Sequence, residues 1–573
     1  MNNDRRPMLA KILDRLPMIA LLALLWLSCF SGLSKSALFD LVDEGFYSTI
    51  SRQMLETGDW ITPRVGAEVY LGKPPLFYWS QAAFIRLLGP TILAARLPSA
   101  LAVAATSLIL WFWMKRRGKE LAGWLAAVFY ALSPLAMAMA RIAMTDALLT
   151  LWLTVAMIGA VEGYGGKRRG YLLMALGAGL ATLTKGPIGF LLPAATFLLW
   201  LICKRDLKEL RKPIWLLAAA LFTALVLPWH LAVWQTNGDY FLREYLWQHH
   251  VQRVIGGAFG HDYPFWYYLP VLLCSMFPFI AFVPRAWWSA IRKNWHGHEV
   301  SDHTEIWALW AGFVLVFFSL SPSKLPSYIL PVLPALTLQV GLHVNELLKE
   351  HRGVARMEGF LLGLFGALIG LVLLSAGVFG LRWRAAPSPV PYSAKLLAGT
   401  IGWQSSPMND ARVWYRLSPF IVLARHTLIF GLLLLASTAL MLWWRRNLIR
   451  VVSIAATLCL SLAVIFGHFA MPAWSRFDIE PLWQLAERSR PALQEGEPLV
   501  LYGIHPARTS VRFLLGHPDL ITETTDSPVL ERVVERYPRG HILAVQGDSL
   551  PAIAARVQID GNAGRWVLWR FER

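Results

Sequence analysis

The feature that most restricts what this chain can fold into is a succession of long, nearly uncharged apolar runs joined by short polar or basic connections. Hydrocarbon offers no water to an open peptide group, so a segment that enters it must close its own hydrogen bonds as a helix. At 1.5 Å per residue a crossing of roughly 30 Å takes about 20 residues. Runs of suitable character lie near 16–34, 97–114, 121–140, 147–161, 170–184, 186–203, 213–236, 263–284, 306–323, 325–345, 359–381, 421–444 and 451–471. Thirteen spans are therefore expected, the two shortest being helices in the interior of the bundle. With 56% hydrophobic and 16% charged residues among 573, disorder, collagen-like sequence and secreted disulfide scaffolds are excluded.

The charges assign sides. Lys and Arg gather in short loops on the cytoplasmic face of a membrane protein. Here they gather at Arg5, Arg6, Lys11 and Arg15, then at 115–117, 167–169, 204–212, 285–293, 349–356 and 445–450, which are alternate connections throughout. The N-terminus is thus expected inside, and the run 16–34 is read as a first span, not a cleaved signal, since no clear small-residue cleavage site follows it. The net charge of +18 then reflects topology and anionic lipid, not nucleic acid. The four cysteines, Cys29, Cys203, Cys274 and Cys459, lie in or beside apolar runs without metal-binding spacing and are read as structural.

An odd number of spans places residues 472–573 outside, beyond a membrane region of residues 1–471. That tail changes character: 498–503, 541–546 and 565–571 read as strands and 507–515 and 527–537 as helices, a small extracytoplasmic α/β domain. No internal repeat of the kind found in transporters is evident.

The outer loops hold the unusual residues. In the loop of roughly 35–96, Phe46, Ile50, Met54 and Leu55 recur at helical spacing after Asp43, as do Phe77, Trp79, Ala83, Phe84 and Leu87 within 76–88. Two amphipathic juxtamembrane helices are expected there. Between them stands Tyr70-Leu71-Gly72-Lys73-Pro74-Pro75. Thr184-Lys185-Gly186-Pro187 and Ser323-Lys324-Leu325-Pro326 repeat the design of a lysine and proline at the outer start of a helix, a place suited to an anion. A snorkelling lysine is the plain alternative for each. Asp43 and Asp146 lie at the same face, where each also suits an N-cap. The loop of about 237–262 adds Tyr240, Arg243, His249, His250, Arg253, His261 and Asp262. Cations and carboxylates at one depth can hold a phosphate leaving group and place a nucleophile.

On these residues the chain resembles the bacterial membrane glycosyltransferases of the GT-C class, within the dolichyl-phosphate-mannose-protein mannosyltransferase superfamily. The likeness is to the family of 4-amino-4-deoxy-L-arabinose lipid A transferases. It rests on Asp43-Glu44 through Trp60, Lys73-Pro74-Pro75-Leu76, Arg141 to Asp146, Thr184 to Pro187, His250 to Arg253, Phe265 to Tyr268, and Ser323 to Pro334. It implies transfer of a sugar from undecaprenyl phosphate to a lipid A phosphate at the outer face of a bacterial inner membrane. It implies Asp43 as the leading catalytic carboxylate, with Asp146 second. Lys73, Arg253, Lys324 and Lys185 would meet the donor phosphate, and Glu44, Tyr47, Tyr70, His250 and Tyr328 would make further substrate contacts. No cofactor is specified. A divalent metal is open, but Gly72 stands where relatives commonly carry an acidic residue, and Phe46 where Arg is common. Protein Ser or Thr, or another envelope glycan, is the alternative acceptor. A lipid transporter is the alternative class, although the suggestive charges lie at outer turns and not at mid-bilayer.

Overall fold

The computed structural model describes residues 8–40, 43–252, 263–295, 303–384, 422–503, 509–517, 519–524, 526–545, 557–563 and 566–572. Among them seven helices are long and apolar enough to cross a membrane: Ile92–Arg116, Thr145–Tyr164, Ile214–Asn237, Pro326–Lys349, Arg356–Arg382, Ala424–Trp443 and Leu448–Phe477. Two bent pairs bring the number to nine, and Arg15–Phe30, Ile188–Lys204 and Glu305–Leu320 are shorter apolar helices. The protein is a multi-pass membrane protein. A helix or bent pair lies over every apolar run named above, including Arg169–Lys185; length and hydropathy alone do not reach thirteen crossings.

Two expected single spans are broken. The run 121–140 bends by 65° between Glu120–Ala131 and Pro134–Ala140, and the run 263–284 bends by 113° between Phe265–Met276 and Phe279–Arg292. Pro134 and Pro278 stand at these breaks. A proline has no N–H to donate, and its ring strikes the carbonyl one turn back, so apolar composition continues where the helix cannot. The helix Val283–Trp295 also covers basic residues expected in a loop.

Ion pairs sort the bundle into two ends. At one, Glu162 near the end of Thr145–Tyr164 meets Arg117 and Lys167 at 2.7 and 2.6 Å. Lys204 pairs there with Glu305 at 2.9 Å, beside His303, whose ring lies 5.1 Å from Tyr164. At the other, Asp146 in the first turn of Thr145–Tyr164 meets Lys185, the last residue of the antiparallel helix Arg169–Lys185. The first end carries the basic loops. The second carries the helices Glu44–Thr57 and Leu76–Leu88 and a short hairpin of β1 (Arg64–Val65) and β2 (Glu68–Val69). Trp229 of Ile214–Asn237 donates to the Ile61 carbonyl at 3.0 Å and Asn237 to Thr62 at 3.1 Å, which docks that loop on the bundle.

The helical run Leu448–Phe477 continues across position 471. Beyond it lies a five-stranded sheet of β3 (Leu499–Tyr502), β4 (Ile521–Thr524), β5 (Arg539–Val545), β6 (Val557–Ala563) and β7 (Trp566–Glu572), in the order β4-β3-β5-β7-β6. β3 runs parallel to β4 and β5, and β7 antiparallel to β5 and β6. Alternation along β3 sends Leu499 and Leu501 to one core with Leu482, Leu485, Val511 and Leu515, and Val500 to another with Leu530 and Val534. The expected strands and helices are present. β4 and β6 were not anticipated because both are edge strands: half-exposed Ile-Thr-Glu-Thr and polar Val-Gln-Ile-Asp-Gly-Asn-Ala hold no apolar run.

Candidate functional site

The first expected juxtamembrane helix, Glu44–Thr57, is preceded by Asp43 in the left-handed conformation at φ 59°. Aspartate is among the few residues with a side chain that tolerate this region. The turn leaves the Asp43 side chain exposed while its carbonyl accepts the Tyr47 N–H at 3.0 Å. Gly58, at φ 74°, closes the helix by donating to the Met54 carbonyl. The second helix, Leu76–Leu88, follows Pro74 and Pro75 directly, and Lys73 before them is buried with its Nζ donating to the Gly72 carbonyl at 3.2 Å.

Glu44 stands apart from the other candidates. It is fully buried, and both carboxylate oxygens are engaged: Oε1 by Arg96 Nε at 2.7 Å and the Ala143 N–H at 2.8 Å, Oε2 by Arg96 and the Phe39 N–H, each at 2.8 Å. Arg96 also donates to the carbonyls of Leu33, Ser36 and Ala37. The structure therefore makes Glu44 an anchor of the loop and not a group open to substrate. It ties the residue beside Asp43 to the segment that leads into Asp146. Arg96 was missed because it stands at the edge of an apolar run, where a basic residue reads as a boundary.

The helix Thr145–Tyr164 presents Asp146 at its start, 2% exposed. One oxygen accepts from Lys185 Nζ at 2.7 Å, and the other has no hydrogen-bond partner among the described residues. Lys185 Nζ lies 4.7 Å from the Tyr328 ring centroid, a cation over an aromatic face. Tyr328 is in turn 5.3 Å from Phe318. Lys324 is buried and donates to the carbonyls of Tyr263 at 2.8 Å and Ser321. Tyr268, with its hydroxyl on the Leu325 carbonyl at 3.2 Å, packs Phe265–Met276 against this turn.

Tyr47 joins the two halves. Its buried phenol is pushed well above its ordinary range, first by burial and then by Tyr70, Asp43, Tyr78 and Asp146. Tyr78 is raised for the same reasons, burial first, then Tyr70 and Asp43. Both phenols stay neutral hydrogen-bonding groups. Tyr70 packs edge-on to Phe46 at 4.7 Å and Tyr47 lies 5.7 Å from Tyr78. Asp43, Tyr47 and Tyr70 thus form one group and Asp146, Lys185 and Tyr328 another, and the Glu44 bond to the Ala143 N–H ties the segments that carry them. Arg253 and the His250 side chain lie outside the described residues. Among the described residues no group of three or more His, Cys, Asp or Glu is placed to hold a metal ion.

Residues 72–234 match the family model described as dolichyl-phosphate-mannose-protein mannosyltransferase. The protein named undecaprenyl phosphate-alpha-4-amino-4-deoxy-L-arabinose arabinosyl transferase of Aeromonas hydrophila is 35% identical over 350 residues, 59% of this chain and 62% of that one. The protein of the same name from Edwardsiella ictaluri is 35% identical over 353 residues, again 59% and 62%. The chain spans about three fifths of the length of these relatives. The crystal structure of ArnT from Cupriavidus metallidurans bound to undecaprenyl phosphate superposes with a TM-score of 0.74 at 20% identity, covering 96% of this chain and 97% of that one. The chain has the GT-C fold of ArnT. The apo form of the same ArnT gives 0.73 over 98% of both chains.

Proposed function

We propose that this protein is a polyprenyl-phosphate-dependent glycosyltransferase of a bacterial inner membrane. It moves 4-amino-4-deoxy-L-arabinose from undecaprenyl phosphate to a phosphate of lipid A, and its N-terminus is cytoplasmic while the site and the C-terminal domain, residues 472–573, face the periplasm. The observation that carries the reading is the pair of tied groups, Asp43, Tyr47 and Tyr70 with Asp146, Lys185 and Tyr328, at the bundle end opposite the basic loops. The names of the relatives and the undecaprenyl phosphate bound to ArnT support the choice of donor.

In this reading an oxygen of the acceptor phosphate forms the new bond to the anomeric carbon as the bond to undecaprenyl phosphate breaks, and the electron pair leaves on that phosphate. Lys73 and Arg253 lead in offsetting the leaving charge, with Lys324 and Lys185 behind them. An acceptor phosphate is anionic near neutral pH, so no proton must be withdrawn for attack. Asp43 then orients acceptor and sugar, while the neutral phenol of Tyr47, the Tyr70 hydroxyl and the uncommitted Asp146 oxygen hydrogen-bond the sugar.

Mass spectrometry of lipid A from cells with and without the gene, under conditions that induce modification, tests the acceptor. Loss of the aminoarabinose mass increment on deletion is expected, and an unchanged pattern rejects lipid A. A second reading, transfer to protein Ser or Thr, draws on the description of the matching family. It would require Asp43 as a base, because a hydroxyl must lose a proton.

A further inference from the structure

We propose that the C-terminal α/β segment is a positioning element for the loop that carries Asp43, acting through Asp40. The inference rests on the functional reading of Asp43. Asp40 lies three residues before it and makes its hydrogen bonds across the interface. Its Oδ1 accepts the Ser510 N–H at 2.7 Å and the Thr509 hydroxyl at 3.3 Å, and its Oδ2 accepts the Ser510 hydroxyl at 2.7 Å. Trp483 Nε1 donates to that same hydroxyl at 3.2 Å. Asp40 thereby satisfies an otherwise open N–H in the first turn of the helix Thr509–Leu515.

The far end of this helix is held from the same loop. Arg52 donates to the carbonyls of Phe513 and Leu514 there, the latter at 3.1 Å, while Thr49 donates to the Thr509 carbonyl at the near end at 2.7 Å. A seven-residue helix of the terminal segment is thus gripped at both ends by the element that begins at Asp43. Gly45 sets how closely the two can approach. A Cβ there would lie 2.3 Å from Asp40 Oδ1 and 2.7 Å from the Ser510 nitrogen, so the latch closes only on glycine. A second tie, the Ala37 N–H to the Ser475 hydroxyl at 2.7 Å, fastens the loop further upstream. With both oxygens engaged by Ser510 and Thr509, Asp40 is a positioning residue. Its consequence is a fixed direction for the Asp43 carboxylate across the left-handed turn.

The test uses the full chain in lipid nanodiscs, with a synthetic undecaprenyl-phosphate sugar as donor and lipid A as acceptor. Asp40→Ala and Gly45→Ala are expected to lower kcat about tenfold with donor KM changed less than about twofold, since misplacing a reacting group slows chemistry more than binding. Asp40→Asn is expected to stay within about threefold of the wild type, because its amide can accept from the Ser510 N–H and donate to the Ser510 hydroxyl. Hydrogen exchange read in parallel should quicken in residues 44–57 for Asp40→Ala and not for Asp40→Asn. Wild-type kcat in Asp40→Ala, or Asp40→Asn as slow as Asp40→Ala, overturns the proposal. If the wild type transfers no sugar, the functional reading fails by itself, and exchange decides the latch: unchanged exchange in Asp40→Ala overturns it.

Discussion

Asp43 and Glu44 are neighbours with opposite fates, and the difference lies in the turn between them. The left-handed residue turns its side chain outward, and the next residue begins a helix whose inner face is core. Glu44 and Arg96 are each fully buried, and together they engage two backbone N–H groups and three carbonyls. Removing one partner leaves an uncompensated buried charge, which costs on the order of 3–5 kcal/mol. Arg96→Met is therefore expected to lower the melting temperature and the yield of folded protein. Glu44→Gln combined with Arg96→Met should recover part of that loss, as read by thermal unfolding of the purified chain. Asp43→Asn should behave in the opposite way. Melting and insertion stay at wild-type values while sugar transfer falls by roughly 100-fold, the scale on which misplacing a reacting group slows chemistry; undiminished turnover would remove Asp43 from its role.

At the scale of elements, the close pairing of Thr145–Tyr164 with Arg169–Lys185 depends on small residues. A Cβ on Gly159 would lie 2.3 Å from the Met174 nitrogen, on Gly170 2.2 Å from the Gly163 nitrogen, and on Gly177 2.6 Å from the Ala156 nitrogen. Two helices lacking a hydrophobic driving force between them in lipid associate through such close packing. This pair holds Asp146 against Lys185, so Gly159→Leu or Gly170→Leu is expected to abolish folded, active protein. Gly359→Ala, where a Cβ meets nothing within 4 Å, is expected to be neutral or to stabilise by about 0.5–1 kcal/mol through helix propensity. Size-exclusion profiles and melting of the purified variants would show the contrast. Period and apolar length located the helices Glu44–Thr57 and Leu76–Leu88 to within a residue or two, because one-sided burial leaves a repeat of 3.6 in the chain. They did not locate the bends at Pro134 and Pro278, because composition stays apolar through both.

At the scale of the whole molecule, the ion pairs divide the bundle into a basic end and a candidate-site end, and this division makes orientation measurable. In a cysteine-free background that retains activity, a cysteine at exposed Lys167 should react with a membrane-impermeant maleimide only from the cytoplasmic side, and one at exposed Glu487 only from the periplasmic side. Labelling of both from one side would overturn the proposed topology. The C-terminal segment should also respond to acid. His541 of β5 is buried and its pKa is lowered, first by desolvation. Asp560 and Glu497 oppose that shift and Arg570 adds to it. A histidine depressed in the folded state contributes stability that is complete above its unfolded pKa of about 6.5 and is lost as pH falls toward the folded value. Hydrogen exchange in 539–545 should therefore quicken as pH drops below about 6.5, after correction for intrinsic rates, and His541→Gln should flatten the dependence.

Hydrophobic length and charge by themselves determined a membrane-embedded helical chain, the bundle end at which its basic loops gather, and which turns place a lysine and a proline at the start of a helix. These are properties of segments, legible because hydrocarbon imposes one secondary structure and charge avoids it. Only the tertiary structure decided that Glu44 is a buried anchor while Asp43 is exposed, that Arg96 is the partner of Glu44, that Asp146 faces Lys185 with one oxygen to spare, and that the helix Thr509–Leu515 of the terminal segment holds Asp40. Those facts depend on residues hundreds of positions apart arriving at hydrogen-bonding distance. Packing of the completed fold sets such distances, and local spacing does not encode them.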